Sequence, residues 1–303
     1  MTPGRIAISG AGGLVGSTLA AELAASGAAT VLRIARPGSG GEGAVPWDPA
    51  AGKFDAERLE GCDAVVHLAG EPIASGRWSR SRKAAIRGSR AGGTRLLVEG
   101  LGRLASKPRA LICASAIGYY GDRGDEILTE GSAPGGGFLA QVVREWEEEA
   151  ARASAHGIRV VSLRIGVVLA GRGGALPRML LPFKLGLGGR LGTGRQWMSW
   201  IHIQDLVAII RFALSREDLA GPINAVSPEP VTNASFTTAL ARTLGRPAVL
   251  PAPAFALKLA LGEMAGELLL SSQRVIPKRL ADFGHVHRFP RVDVALRQIL
   301  EDR

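Results

Sequence analysis

The 303-residue chain has only two cysteines, Cys62 and Cys113, and they do not form a CxxC pair. That rules out a disulfide framework or a thiolate zinc site, and both residues read as reduced, buried thiols. No run of eighteen uncharged apolar residues occurs, so no segment reads as a membrane span, and no membrane partner is expected. The opening stretch, MTPGRIAISG, enters a strand without a hydrophobic leader, so a reducing cytoplasm is the expected setting. There is no GxSxG nucleophile elbow and no P-loop, which argues against a standard serine hydrolase and an ordinary ATPase. His285 and His287 alternate on a possible strand, but two histidines without further ligands make a poor zinc site, and no metal is expected.

Acidic residues are scarce in one place. Between Arg77 and Arg109 lie ten basic residues and the single acid Glu99, a net of +9 out of the chain's +10. Such a segment attracts anions: nucleotide phosphates, acidic substrates or nucleic acid. Only Trp78 is interleaved with it, too little stacking surface for bases, so no nucleic-acid partner is expected. The plainer reading of most of these residues is a solvated helix face.

What is present is a strand–helix alternation. RIAIS, ATVLRI, DAVVHLAG, RALICASA and IRVVSLRIGVVL read as strands, and GPINAVS as a later one. LVGSTLAAELAASG, a stretch through about Arg82–Ala105, and FLAQVVREWEEEAARASAHG read as helices. Continuous apolar strands alternating with helices predict an α/β fold, a Rossmann-type doubly wound parallel sheet. After Ala170 the composition turns to Gly and Pro. The expected division is a dinucleotide-binding domain over 1–170, joined by 201–226, and a smaller, mainly helical lobe over 171–303. The cleft between them is the default ligand site.

ISGAGGLVG places Gly10, Gly13 and Gly16 after the first strand, with Leu14 and Val15 opening the helix. The first glycine permits the tight turn, the second lets the backbone approach a pyrophosphate, and the third lets helix pack on strand. The helix N-terminus then offers free N–H groups to the phosphates. The second strand ends VLRIARPGS, with no carboxylate to bind an adenosine ribose but with Arg33 and Arg36. Arginine can bind a 2′-phosphate bidentately, so NADP(H) is preferred over NAD(H), with Arg36 favoured because it lies past the strand end. In HLAG, the small steps Leu68, Ala69 and Gly70 let the backbone lie against the dinucleotide, while His67 reads as a packed strand residue.

The glycine spacing, HLAGE, SAIGYYGD, LTE, LRIGVVL and SWIHIQDLV together resemble an extended short-chain dehydrogenase/reductase, the group that contains nucleotide-sugar epimerases. The order of LAGEPI…RW, SRAGGTRLL, FLAQVVREWE, GGRLGTGRQWMSWIHIQDLV and GPINAVSPEPVTNASF is similar to an atypical branch, labelled NAD-dependent epimerase family, that ends in a domain of unknown function. The resemblance runs from Arg5 to about Leu300. It implies a nicotinamide cofactor and leaves the substrate open.

The parent superfamily uses Tyr-x-x-x-Lys on a helix, a spacing that puts both side chains on one face. The matching positions here are Phe138 and Val142, and YxxxK occurs nowhere in the chain. Phe138, Val142, Trp146 and Ala150 instead form an apolar stripe that reads as core. The remaining candidates for chemistry are Ser115, where the superfamily places a hydroxyl, and Tyr119 or Tyr120 just beyond it. Glu71, Arg77, Arg164 and His202 are expected at loop positions by the cleft, with Arg164 also a cofactor contact, and Trp197 and Trp200 are expected to line or pack it. These residues support an NADP(H)-dependent oxidoreductase acting on a small polar or sugar-like substrate. A non-catalytic NADP(H)-binding redox sensor is the main alternative. A nucleotide-sugar epimerase is a third, with Arg172, Arg178, Lys184, Arg190 and Arg195 as its second phosphate site. A homodimer is expected only because it is common in the superfamily.

Overall fold

The computed structural model describes residues 4–27 and 29–301. The extreme ends of the two expected units, Met1–Pro3 and Asp302–Arg303, lie outside the described residues, as does Ala28. Eight strands form the central sheet: β1 (Gly4–Ser9), β2 (Ala29–Ala35), β3 (Val45–Asp48), β4 (Lys53–Phe54), β5 (Ala64–His67), β6 (Ala110–Ala116), β7 (Arg159–Ile165) and β8 (Gly221–Ala225). Their order is β8-β7-β6-β5-β1-β2-β3-β4, parallel throughout except for the β3–β4 pair. The chain runs outward from β1 through β2 to β4, then returns to pair β5 on the other side of β1. The strand order therefore reverses at β1/β5, and the crevice beyond their carboxyl ends is where this architecture binds ligands.

Strand alternation sends side chains to two faces. Ala7, Val65, Leu111, Cys113 and Val160 share a core with Leu97 and Leu101 of α3 (Gly93–Arg103) and with Trp146 and Ala150 of α4 (Phe138–Ala151). Their chain neighbours Ile8, Val66, Ile112 and Val161 face the other way, onto Leu19 and Leu23 of α1 (Leu14–Ala25) and Leu206 and Ile210 of α6 (Ile203–Ser215). A third core, around Phe183, Trp200, Leu240, Phe289 and Leu296, belongs to the C-terminal part. Ile201 packs in the sheet core and Trp200 in the C-terminal core, so one short strand (Trp200–His202) stitches the two together.

The expected single strand IRVVSLRIGVVL is broken in two. After β7, Val167–Leu169 leaves the sheet to pair in parallel with Trp200–His202. Gly166 makes the turn, because a Cβ there would stand 2.7 Å from the carbonyl oxygen of Ser199. The long basic stretch is helical from α2 (Arg80–Arg87) through α3, but with a π-turn at Gly88–Gly92 between them, where two glycines weaken the α-helical ladder. β3 and β4 lie in the Gly- and Pro-rich stretch after β2 and have no apolar alternation to reveal them; Trp47 and Phe54 anchor them on α3.

Candidate functional site

The loop after β1 has the geometry that its glycines predict. Gly10 adopts φ +70°, and a Cβ there would stand 2.9 Å from the backbone nitrogen of Ala69 and from the carbonyl carbon of Leu68. Gly13 caps α1 without a side chain and donates its N–H to Gly10. A Cβ on buried Gly16 would collide with the carbonyl oxygen of Gly10, so helix and strand touch only because that residue is glycine. The first turn of α1 carries no acidic residue, and the N–H groups of Leu14, Val15 and Gly16 point beyond the helix end. The result is a cradle of backbone donors that a side chain would fill, and a pyrophosphate fits it.

The opposite wall is fixed from behind by a buried hydroxyl–imidazole chain. The hydroxyl of Ser9 lies 2.6 Å from Nδ1 of His67 and accepts the N–H groups of Leu68 (3.1 Å) and Ala69 (3.3 Å). Nε2 of His67 lies 3.0 Å from the hydroxyl of Thr94, and Trp47 meets the imidazole edge-on. Burial pushes the His67 pKa from 6.5 down to about 4, so the ring is neutral. His67 positions the Leu68–Ala69–Gly70 wall and does not face the crevice.

Arg36 is exposed in the turn after β2 and makes no ion pair, and its carbonyl accepts from the Ser39 backbone and hydroxyl. Arg33 is also exposed, within β2. Arg90 was hidden among the basic residues read as a solvated face. Its guanidinium packs against Gly70, lies 5.3 Å from the Trp146 ring centre, and donates from Nη1 to the carbonyls of Glu71 (3.1 Å) and Ile86 (3.4 Å). It has no carboxylate partner, and burial pushes its pKa down to about 10. The one signal in the sequence was its setting among Gly88, Gly92 and Gly93, which lets the helix sink toward the strand ends. Its neighbours are matched: Arg82 with Glu71, Lys83 with Glu263, Arg87 with Glu145, Arg95 with Glu149 and Arg109 with Asp63. Glu71 is thus bound to Arg82, and exposed Arg77 lies against Gly262.

Phe138 opens α4, half-buried, with Trp78 edge-on at 5.3 Å and the Lys83 ammonium 5.0 Å from its ring centre. Val142 is buried. The helix N-terminus is held by Glu267, whose two carboxylate oxygens accept the N–H groups of Phe138 (2.7 Å) and Leu139 (2.8 Å).

The proposed chemical residues meet, but inside the protein. The Ser115 hydroxyl donates to Oε1 of Glu147 at 2.5 Å, and Arg164 grips both oxygens of Glu147 at 2.8 Å. Nη1 of Arg164 donates to the Tyr120 hydroxyl (3.0 Å), which sits 2.7 Å from Oδ1 of Asn224 and 3.0 Å from the carbonyl of Thr129. Tyr120 is fully buried, and burial raises its pKa despite the nearby Arg164. Burial opposes the charge on Arg164, but Glu147 outweighs it and the guanidinium's pKa rises.

Arg164 therefore does not sit on a loop, as the sequence suggested; it is a strand residue saturated by Glu147 and Tyr120. His202 is likewise not free in a loop. It caps α6 by accepting the Gln204 N–H, meets Gln298 at 2.8 Å and stacks on Phe289. Trp200 does not line the cleft; it is fully buried and donates to the Glu229 carbonyl, while Trp197 donates to Asp125. Tyr119 differs from these. It is half-buried, its ring lies 3.5 Å from the Arg164 guanidinium, and its hydroxyl has no partner among the described residues.

A reversed-order parallel sheet, a glycine cradle at its switch point and a tyrosine-bearing turn after β6 define the dinucleotide-binding short-chain dehydrogenase/reductase class. The chain belongs to the NAD dependent epimerase/dehydratase family, whose model matches residues 6–225; residues 252–299 match a domain of unknown function (DUF1731). The chain is 45% identical over 279 residues to the epimerase family protein Mb2239 of Mycobacterium bovis, covering 92% of each. It is 37% identical to human epimerase family protein SDR39U1, covering 98% of this chain and 99% of the human one. The crystal structure of human SDR39U1 (isoform 2) with NADPH superposes with a TM-score of 0.90 at 35% identity, covering 99% of this chain and all of that one. Among the described residues no helix is long and apolar enough to cross a membrane, and no cluster of ligands for a metal is present.

Proposed function

We propose that this chain is an NADP(H)-dependent oxidoreductase of the extended short-chain dehydrogenase type, acting on a small polar or sugar-like substrate. The observation that carries the reading is the pairing of the glycine cradle with an unpaired Arg36 at the end of β2, where no carboxylate stands. The NADPH named in the human relative's structure supports the same preference. When bound, the dinucleotide supplies or accepts the hydride. Gly13, Leu14 and Val15 would hold its pyrophosphate, the Leu68–Gly70 wall would line its site, and Arg36 would meet the 2′-phosphate. Arg90, with donors left over at Gly70, adds a positive charge to the same crevice. Tyr119 holds or delivers the proton at its hydroxyl, and the stacked Arg164 fixes the ring's position. Ser115 and Tyr120 support that turn from beneath. The two buried, reduced cysteines suit a cytoplasmic setting.

A second reading, a non-catalytic NADP(H) sensor, is favoured by the saturation of Ser115, Tyr120 and Arg164 within the protein. The first test is calorimetric titration of nucleotide-free protein with NADPH and NADH, beside Arg36→Ala. NADPH is expected to bind at least about tenfold tighter, about 1.4 kcal/mol, and the variant to lose that margin. If neither nucleotide binds, both readings fall. Nucleotide binding without hydride exchange to any of a panel of carbonyl compounds leaves the sensor.

A further inference from the structure

The C-terminal part of the molecule carries a basic, apolar surface outside the residues assigned to the nucleotide. Residues 171–195 hold five basic residues and 242–262 hold three, and neither stretch contains an Asp or a Glu. None of the eight cations is in an ion pair. Most basic residues of α2 and α3, by contrast, have found carboxylates. The two acid-free stretches lie side by side. The Leu250 N–H donates to the Gly188 carbonyl (3.2 Å), and the Gly192 N–H donates to that of Ala252 (2.8 Å).

Large apolar side chains project from the same segments. Around the C-terminal end of α5 (Leu176–Lys184), Leu181, Leu185 and Leu187 are 60%, 64% and 58% exposed. Val249, in the adjoining strip, is 74% exposed. Helix α8 (Ala254–Leu261, sequence AFALKLAL) has no buried residue, and Phe255 and Leu259, one turn apart, are 73% and 77% exposed. Lys184 and Lys258 sit three residues beyond Leu181 and Phe255, on the same helix faces as the apolar groups. Just behind Val249, Arg242 and Arg246 line a shallow pocket of about 350 Å³ that contains no acid.

Exposed leucines and a phenylalanine flanked by unpaired lysines and arginines match a surface that presents both negative charge and hydrocarbon. We propose that this face docks on an anionic lipid bilayer. The apolar side chains enter the headgroup boundary, and Lys184, Lys258 and the Arg242–Arg246 pocket meet lipid phosphates. Helix α8, at eight residues, lies along the membrane plane and cannot span it. The absence of acids decides for lipid over a second copy of this chain, because a copy would bring the same unpaired positive charge. The lack of long apolar runs excludes a spanning helix and does not bear on this peripheral contact.

The test is sedimentation of the full-length protein with phosphatidylcholine vesicles, with and without phosphatidylglycerol. Wild type is expected to bind only the anionic vesicles and to release as salt rises. The double variants Phe255→Ser/Leu259→Ser and Lys184→Glu/Lys258→Glu are each expected to bind at least about tenfold more weakly. Val286→Ser, which removes an exposed valine outside the face, is expected to bind as wild type does. Three outcomes overturn the proposal: no binding of wild type to anionic vesicles at low salt; loss with the lysine pair but not with Phe255 and Leu259, which means charge attraction alone; or a dimer in solution that the apolar double variant dissociates, which means a second copy covers the face.

Discussion

Acidification should loosen the nucleotide crevice through one buried histidine, by a calculable amount. In the neutral ring the Ser9 proton is best given to Nδ1 of His67, because the Ser9 oxygen already accepts the Leu68 and Ala69 N–H groups; the Nε2 proton then goes to the Thr94 hydroxyl. A second ring proton would sit on Nδ1 and point at an oxygen whose lone pairs are taken, in a place with no carboxylate to stabilise it. The unfolded chain takes that proton at the ordinary 6.5, whereas the folded chain resists it down to about 4. Between those values the unfolded state binds more protons, so stability falls as pH falls. The loss begins near 6.5 and is complete below about 4. The linkage relation gives about 2 kcal/mol lost between pH 7 and pH 5, and roughly 3 kcal/mol in the acid limit.

The assay is urea unfolding of wild type and His67→Gln at pH 7 and pH 5, comparing the change with pH. His285 and His287 also have lowered pKa values, chiefly from burial, and add in the same direction, so only the difference between the two proteins isolates His67. The variant is expected to lose about 2 kcal/mol less than wild type over that interval. NADPH affinity of wild type should hold between pH 7 and pH 5, where the folded ring stays neutral, and weaken only as pH falls through about 4, where Ser9 can no longer hold the Ala69 wall. Equal pH dependence in the two proteins would falsify the tautomer assignment and the burial on which it rests.

Two further substitutions separate site from scaffold. Gly16→Ala places a methyl against the Gly10 carbonyl, so it should lower thermal stability by an amount of the order of 1–3 kcal/mol and abolish NADPH binding; calorimetry and thermal denaturation read both. Tyr119→Phe removes a hydroxyl with no partner among the described residues and should leave the melting temperature within error while reducing hydride exchange. Tyr120→Phe strips the Asn224 and Arg164 bonds and should cost about 1–3 kcal/mol in unfolding free energy. The reverse pattern would return the chemical role to Tyr120.

The parts of this protein that repeat were legible in the sequence. Strand runs such as AVVH and LICASA show as continuous apolar stretches because both faces are buried, and the glycine cradle shows because each glycine answers a separate steric demand. What the sequence hid depends on pairs of residues far apart in the chain. Arg164 looked like a loop cation because LRIG suggests a strand end; only the fold shows Glu147, seventeen residues earlier on α4, gripping it. Arg90 was one of ten basic residues between Arg77 and Arg109. It stands apart only after five of the others are seen to find carboxylates as far away as Glu263. The C-terminal face was invisible for the opposite reason: after Ala170 the composition turns to Gly and Pro, and nothing in the sequence says that no core lies beneath the leucines there.

The missing Tyr-x-x-x-Lys pair is the hardest departure to read, and the structure makes it a committed one. If the pair had merely been lost, Phe138→Tyr with Val142→Lys would rebuild it. Phe138→Tyr is tolerable, since the residue is half-buried and a hydroxyl could reach the crevice between Trp78 and Lys83. Val142→Lys is not tolerable: the side chain is 1% exposed, and the residue one turn on is Trp146, itself in the sheet core. An ammonium taken into that burial must either shed its proton or cost several kcal/mol. The double variant should therefore unfold at lower denaturant than either wild type or Phe138→Tyr, with no gain in hydride exchange. The start of α4 is instead held from the C-terminal part of the chain. Glu267, from the segment matching the domain of unknown function, accepts the first two N–H groups of the helix, and Lys83 pairs with Glu263 from the same segment. A C-terminal carboxylate thus anchors the helix whose own catalytic pair is absent. A stable Phe138→Tyr/Val142→Lys protein with raised activity would refute this account of α4.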